Sequence, residues 1–392
     1  MQKTLRNIIA AAAIIVLAAL STSAQSTDSS KGSLKVSGFV QLIMSEDFGG
    51  YIDNYDFIPS LIDVSGSANA EQQFRADFST SRLNFDYSKE SAALGEVKLH
   101  MDVDFRGGSQ GSYTARMRRG FITVGNWMAG KTFTNFMDAG AMLGQIDFQG
   151  SNGYCFNYAP QLRYTYVDDN EHLSLSASLE YLPQSLSTSI LGSTEYERIT
   201  QRLPTVPVYA QYNFGEDRDN HVRLSGIVRP QSVYRVSTDE TLSRVGWGAQ
   251  FSGRLAFCPA LFLYYNAIYG AGIAEYISDL YGSEMEYTIT ASAADGIETT
   301  EMYSYNVGLQ VNLSKRVWCN AAYSSATIGS DKDEAIFGSS AYHTGNFAFG
   351  NIYFQATPDL QFVAEYINGK RENMNGESGK ANRIYLMAQY NF

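Results

Sequence analysis

Arg82, Arg116, Arg118 and Arg163, with Lys131 nearby in the chain, are the residues whose type and spacing carry a chemical message. A guanidinium stays charged at any physiological pH. Several of them fixed along the wall of a narrow, low-dielectric passage raise the local concentration of anions. That chemistry steers and binds; it breaks no bond. An enzyme would need an acid–base constellation, and only His100, His172, His221 and His343 are available. No serine in a G-x-S-x-G turn stands near His100, and neither a metal-ligand cluster nor a glycine-rich phosphate loop is present. No catalytic residue, metal or cofactor is expected.

Which side chains share a face follows from parity in extended segments, because a shift of one residue moves every side chain across the sheet. With Leu83, Phe85 and Tyr87 on the apolar face, Arg82, Asn84 and Asp86 occupy the polar one. With Met117 and Phe121 outward, Arg116 and Arg118 point inward and Arg119 falls on the outer face. Arg163 lies between outward Leu162 and Tyr164; Arg223, Arg229, Arg244, Arg254 and Arg383 are inward by the same test. Counting about 3.3 Å per residue from each short turn brings Arg82, Arg118, Lys131 and Arg163 to similar heights, as one basic wall. Asp102 and Asp104 fall among them.

Segment 134–158 is less polar than an exposed loop should be, with Phe136, Met137, Met142, Leu143, Ile146, Phe148, Tyr154 and Phe156. Folding inward would bury these residues. Phe136, Asp138, Asp147 and Phe148 are then the expected constriction, the two carboxylates facing the arginines across the opening.

The elements that must position these residues are strands. Ile384, Leu386, Ala388, Tyr390 and Phe392 alternate with more polar neighbours, as do Val97, Leu99, Met101, Val103 and Phe105. Sixteen such segments are expected, near 34–44, 73–88, 95–106, 115–125, 127–133, 159–168, 171–182, 204–215, 220–233, 243–256, 259–270, 302–314, 316–328, 345–356, 359–369 and 381–392. Their connections alternate short and long along the chain. That rhythm predicts an all-β, 16-stranded antiparallel transmembrane barrel with short periplasmic turns and long external loops. A soluble β-sandwich has no reason to keep the rhythm, whereas a sheet in lipid must close because an open edge finds no hydrogen-bond partner.

The ends and the composition agree. Lys3 and Arg6, the apolar run Ile8 to Leu20 and the small residues up to Ala24 predict a signal peptide over 1–24, followed by a short lead-in over 25–33 and a barrel over 34–392. The sequence holds 27 Tyr and 22 Phe against 8 Pro, which suits strands with an aromatic face. Net charge is −11. Most of it lies in two acidic stretches, 44–72 and 271–300, which read as solvated surface, with divalent cations bridging them to lipid phosphates as the sharper expectation. Without a basic patch, a nucleic-acid partner is excluded. Three cysteines, Cys155, Cys258 and Cys319, allow at most one bridge, and none is expected to be structural.

The order of an arginine pair in Ala115–Phe121, "AGKTFTNFMD" ending at Asp138, "IDFQG" from Ile146 and "PQLRYT" from Pro160 resembles the DcaP-like trimeric porins over residues 115–165. Terminal Phe392 is similar to the assembly signal of outer-membrane proteins generally. The resemblance implies a homotrimer of 16-stranded channels in the outer membrane, passing small polar solutes with a preference for anions such as small carboxylates. Two rival readings stay open: a substrate-specific phosphate or sugar channel, and a binding or adhesion barrel with a closed lumen.

Overall fold

A computed structural model describes residues 32–50, 52–66, 72–183, 195–215, 218–288 and 296–392. The expected signal peptide and nearly all of the lead-in lie outside the described residues. Eighteen strand segments form one sheet in which every pairing is antiparallel. Gln72–Asp77 and Arg82–Ser91 are two halves of one broken strand, and Tyr196–Arg198 is a three-residue addition, so the wall has sixteen strands. Ser33–Phe48 closes it, pairing with Ser378–Asn391 on one side and with Arg82–Ser91 on the other. Among the described residues no helix is long and apolar enough to cross a membrane.

All sixteen expected segments are strands, with ends shifted by a few residues. Alternation does what the lipid requires. Val36, Val40, Leu42 and Met44 are exposed on the outside, while Gln41, Ile43, Ser45 and Asp47 are buried inside. Closing the ring pairs every backbone edge, which removes the unsatisfied groups that an open sheet would leave in lipid. Turns at one end are tight. Gly125 and Asn126 join Arg116–Val124 to Trp127–Phe133, and the positive φ of 53° at Gly125 is the conformation that a two-residue hairpin needs.

At the other end three loops fold inward. Loop 134–157 buries Phe136, Leu143, Ile146 and Tyr154 against the barrel interior. Loop 49–71 buries Ile52, Phe57 and Ile62, and loop 272–300 buries Ile273, Tyr276, Ile277 and Tyr287. The two acidic stretches are therefore not simply solvated surface. Asp56, Glu275, Asp279 and Glu286 are buried, because loop amides and arginines satisfy their oxygens; Glu71 and Asp295 lie outside the described residues.

Asp279 ties the three loops together. It accepts from the Ser60 amide at 2.9 Å, from Asn152 Nδ2 at 3.1 Å and from the Tyr342 hydroxyl at 2.6 Å. Burial pushes its carboxyl above the ordinary range. All three cysteines are free.

Candidate functional site

Two groups of basic side chains line the interior. The upper one is built on Arg82–Ser91, Gly95–Asp104 and Arg116–Val124. Arg116 pairs with Asp104 at 2.6 Å, Arg119 with Asp102 at 2.6 Å, and Arg118 lies 3.4 Å from Asp104 and 3.7 Å from Asp102. Both carboxylates are fully buried. Arg82 sits beside Arg118, which repels it, with its guanidinium over the Phe39 ring at 5.1 Å.

A β-bulge decides this arrangement. Asp102 stands opposite Arg119, yet Val103 stands opposite Met117, so Arg118 is one residue too many for the ladder. The extra residue shifts parity on one side of it. Arg119 therefore points inward with Arg118, correcting the expectation that it faces outward. Phe121 likewise turns inward, opposite His100, with ring centres 5.1 Å apart.

The same shift overturns the place of Lys131 in the wall. It pairs with outward Gly120 on one side and with Pro160, in register with outward Leu162, on the other. Its side chain thus belongs to the outer face.

The lower group comprises Arg163, Arg223 and Arg254. Together with Phe133, Tyr209 and Gln211, and with Asp138 and Asp219 as its acidic residues, these line an open recess below loop 134–157. Arg163 donates to Gln161 at 2.8 Å and to the Phe133 carbonyl at 2.5 Å. Arg223 donates to the Asn135 carbonyl at 2.7 Å and lies 3.6 Å from the centre of the Tyr209 ring. Arg254 lies over Phe262 at 4.5 Å. Among the described residues none of these three, nor Arg82, forms an ion pair with a carboxylate. The single wall of the sequence reading is thus two clusters at different levels.

Three other inward arginines are placed differently. Arg229 is buried against Glu286 at 2.9 Å, and Arg383 is buried in an ion pair with Asp47 while donating to the Ile52 and Tyr55 carbonyls. Both anchor loops and do not meet the lumen. Arg244 stands opposite Gln231 on an inward position.

The expected constriction loop lies inside the barrel, but its residues do other work. Phe136 is fully buried, edge-on to Tyr276. Asp138 does not face the arginines of the upper group; it accepts from Ser252 at 2.7 Å and meets His221 Nε2 at 2.9 Å. Burial raises this carboxyl, yet the His221 hydrogen bond and charge outweigh that and hold it below the ordinary range.

Asp147 also turns from the upper arginines, accepting from the Phe57 amide at 2.7 Å and the Tyr385 hydroxyl at 3.0 Å. Burial, with the Asp56 carboxylate nearby, pushes it up to about 8. Phe148 alone faces the upper group, its ring 4.5 Å from Arg106, 5.4 Å from Arg118 and 5.6 Å from Arg116. Arg106, which pairs with Asp56 at 2.6 Å, and Arg75, which pairs with Asp53 at 2.6 Å, are basic residues of this region that parity along the strands did not single out. The first lies just past a strand, and the second lies beyond the break at 78–81.

The comparisons with known proteins agree with this geometry. The sequence profile of the DcaP outer membrane protein family matches residues 10–392. No curated protein matches the sequence. Among solved structures, the outer membrane channel DcaP of Acinetobacter baumannii superposes with a TM-score of 0.79 at 23% identity, over 94% of this chain and 100% of that one. The trimer form of OmpT from Vibrio cholerae gives 0.55 at 11%, over 92% and 99%. An anion-selective porin from Comamonas acidovorans gives 0.56 at 9%, over 92% and 100%. With a closed sixteen-stranded wall, an apolar outside, loops folded into the lumen and a family match over nearly its whole length, the chain belongs to the DcaP outer membrane protein family and has the fold of an outer-membrane channel.

Proposed function

We propose that this channel passes small polar solutes by diffusion and favours anions such as small carboxylates, as a homotrimer. One observation carries the anion preference: Arg82, Arg163, Arg223 and Arg254 line the interior without a carboxylate partner among the described residues, and the Nε atoms of Arg82 and Arg254 have no hydrogen-bond acceptor. Asp138 tempers Arg223 and Glu180 tempers Arg163, yet neither carboxylate forms an ion pair with them, so these guanidinium groups keep a net positive field that attracts anions, whereas the paired Arg116 and Arg119 add little. An anion moving inward meets Arg106, Arg116 and Arg118 around Phe148, then the wider recess with Arg163, Arg223 and Arg254. Each site offers hydrogen bonds that replace part of the solute's hydration without holding it.

The trimer is supported by the outer face. Lys131 is an ammonium group in an otherwise apolar stretch of wall, a costly residue to present to lipid, and a protein neighbour would cover it.

Reversal potentials in a KCl gradient across planar bilayers test the preference. The chain is expected to pass chloride over potassium, and the quadruple replacement of Arg82, Arg163, Arg223 and Arg254 by Gln is expected to abolish or invert that ratio. Cation selectivity in the native protein, or a ratio untouched by the four substitutions, would overturn it. Migration of the unheated protein at the mass of a single chain would overturn the trimer.

A further inference from the structure

We infer that the preferred solutes are sugar acids, ring-bearing carboxylates whose charged end meets the arginines while the ring rests on a neutral wall opposite. This rests on the anion-channel reading above and narrows it. The lumen below the loops is two-sided. Arg163, Arg223 and Arg254 occupy one side, whereas toward the short-turn end the inward positions of the five strands from Glu301–Asn312 to Ser378–Asn391 carry the uncharged Gln310, Asn312, Trp318, Gln355, Gln361 and Gln389; Glu365 and Arg383 on the same face are buried under the loops.

Trp318 is the centre of that neutral side. It stands opposite Tyr353 on the neighbouring strand, and the two rings stack nearly parallel, 4.9 Å between centres and 12° between planes. Tyr353 is buried and Trp318, on an inward position, only partly so, which leaves part of the indole accessible from the lumen. Indole joins a large apolar surface to one N–H donor, and the C–H face of a sugar ring suits it as an alkyl chain does not.

Amides flank the platform. Gln310 donates to Asn312 at 2.9 Å, Gln361 to Gln355 at 2.9 Å and Gln389 to Asn391 at 2.8 Å. Each donating amide keeps a second N–H for a hydroxyl group, while the Gln310 carbonyl already accepts from the Tyr264 hydroxyl at 3.3 Å.

Arg254 stands opposite Tyr264, Phe262 opposite Gln310, and Asn312 opposite Trp318, so the arginine and the indole are three strands apart. At about 4.8 Å per strand that is roughly 14 Å across the strands, and because the register runs from Arg254 through Tyr264 and Gly308 to Ala322, the indole also lies four residues, about 13 Å, further along its strand. Phe262 and Tyr264, over which Arg254 lies, make the surface between them. A simple aliphatic diacid would leave the indole and its flanking amides unused. A neutral sugar would leave the arginines unused.

Trp318 reports its own occupancy. Trp127 and Trp247 face outward, so replacing both by Phe leaves the lumen wall intact and Trp318 as the remaining indole. In the purified full-length channel, titration with glucuronate is expected to change the fluorescence of Trp318 saturably. Succinate and glucose are expected to need about tenfold higher concentrations. In bilayers, glucuronate is expected to interrupt the current at lower concentration than succinate, with Trp318→Leu removing that difference and Arg254→Gln weakening glucuronate.

Equal responses to glucuronate and succinate, with anion selectivity in KCl intact, would overturn the sugar-acid inference alone. Absence of anion selectivity in KCl would overturn the channel's charge preference instead. Should Trp318→Leu fail to assemble, the fluorescence titration on native Trp318 still decides.

Discussion

The Arg106 guanidinium lies 4.5 Å from the centre of the Phe148 ring, and the same guanidinium donates to Asp56 at 2.6 Å. Three loops meet at this contact, since Asp56 belongs to loop 49–71, Phe148 to loop 134–157 and Arg106 to the segment that follows Gly95–Asp104. The ring's negative face gathers Arg106, Arg116 and Arg118, each contact worth about 0.5–2 kcal/mol depending on its hydration. Phe148→Ala is expected to loosen the loop tip by about 1–2 kcal/mol and widen the passage. Single-channel conductance should rise and discrimination between small and large anions should fall, while Phe148→Tyr should behave as the native protein. Unchanged conductance in Phe148→Ala would remove this tip from the constriction.

Asp147 gives the docked loop a pH dependence whose sign can be stated. Docked, its carboxyl titrates at about 8 because of burial and the Asp56 carboxylate; undocked, it returns to the ordinary value of about 3.9. Between these values the docked form holds a proton that the released form does not. Docking is therefore strongest below about pH 4, weakens as pH rises and has lost the whole contribution above about pH 8. Open-channel current noise from loop excursions is expected to grow between about pH 4 and pH 8 and to level off above that. Asp147→Asn, which cannot ionise, should flatten that profile. A native channel equally quiet across this range would count against the loop's proton.

The strands were legible because lipid imposes a rule that any sequence must obey: outward Val40, Leu42 and Met44 alternate with inward Gln41, Ile43 and Ser45, since each side chain must face either lipid or the interior. Loop rhythm set the topology for the same reason. Parity failed where the backbone itself broke the period. Nothing in the residues around Arg118 marks an inserted position, so Arg119, Phe121 and Lys131 were each expected on the wrong face. The inward folding of loop 134–157 was readable from its aromatic content, but the burial of Asp279 and Glu286 was not. Acidic residues lose their cost of burial only when specific donors, here Ser60, Asn152 and Tyr342 for one and Arg229 for the other, arrive from distant parts of the chain.

Arg119 offers a test of the bulge. An outward arginine would be improved by leucine, which suits lipid, whereas an inward one is the 2.6 Å partner of fully buried Asp102. Arg118 at 3.7 Å offsets part of the loss, so Arg119→Leu is expected to cost about 2–4 kcal/mol. The temperature at which the folded band converts to the unfolded band on a gel should drop. A rise would return Arg119 to the lipid face and displace the bulge.

Arg229 and Glu286 form a pair in which neither side chain reaches solvent, at 1% and 0% exposure. Arg229 also donates to the Leu182 and Pro183 carbonyls at 3.1 Å, and Gln231 donates to Glu286 at 3.0 Å, so the charges are embedded in a network that fixes loop 272–300 to the strand Asn220–Arg235. Glu286→Ala strands a guanidinium in the interior, and breaking such a pair costs about 3–5 kcal/mol. The barrel itself, held by its closed ladder, has no reason to unfold. The loop should leave instead, exposing Tyr276 and Tyr287 to protease added outside intact cells and raising conductance. The paired replacement Arg229→Met with Glu286→Leu removes both charges and keeps most of the volume, so it is expected to hold the loop in place. If the double variant is as protease-sensitive as Glu286→Ala, it is the hydrogen bonds to Leu182, Pro183 and Gln231, and not relief of an unpaired charge, that dock this loop.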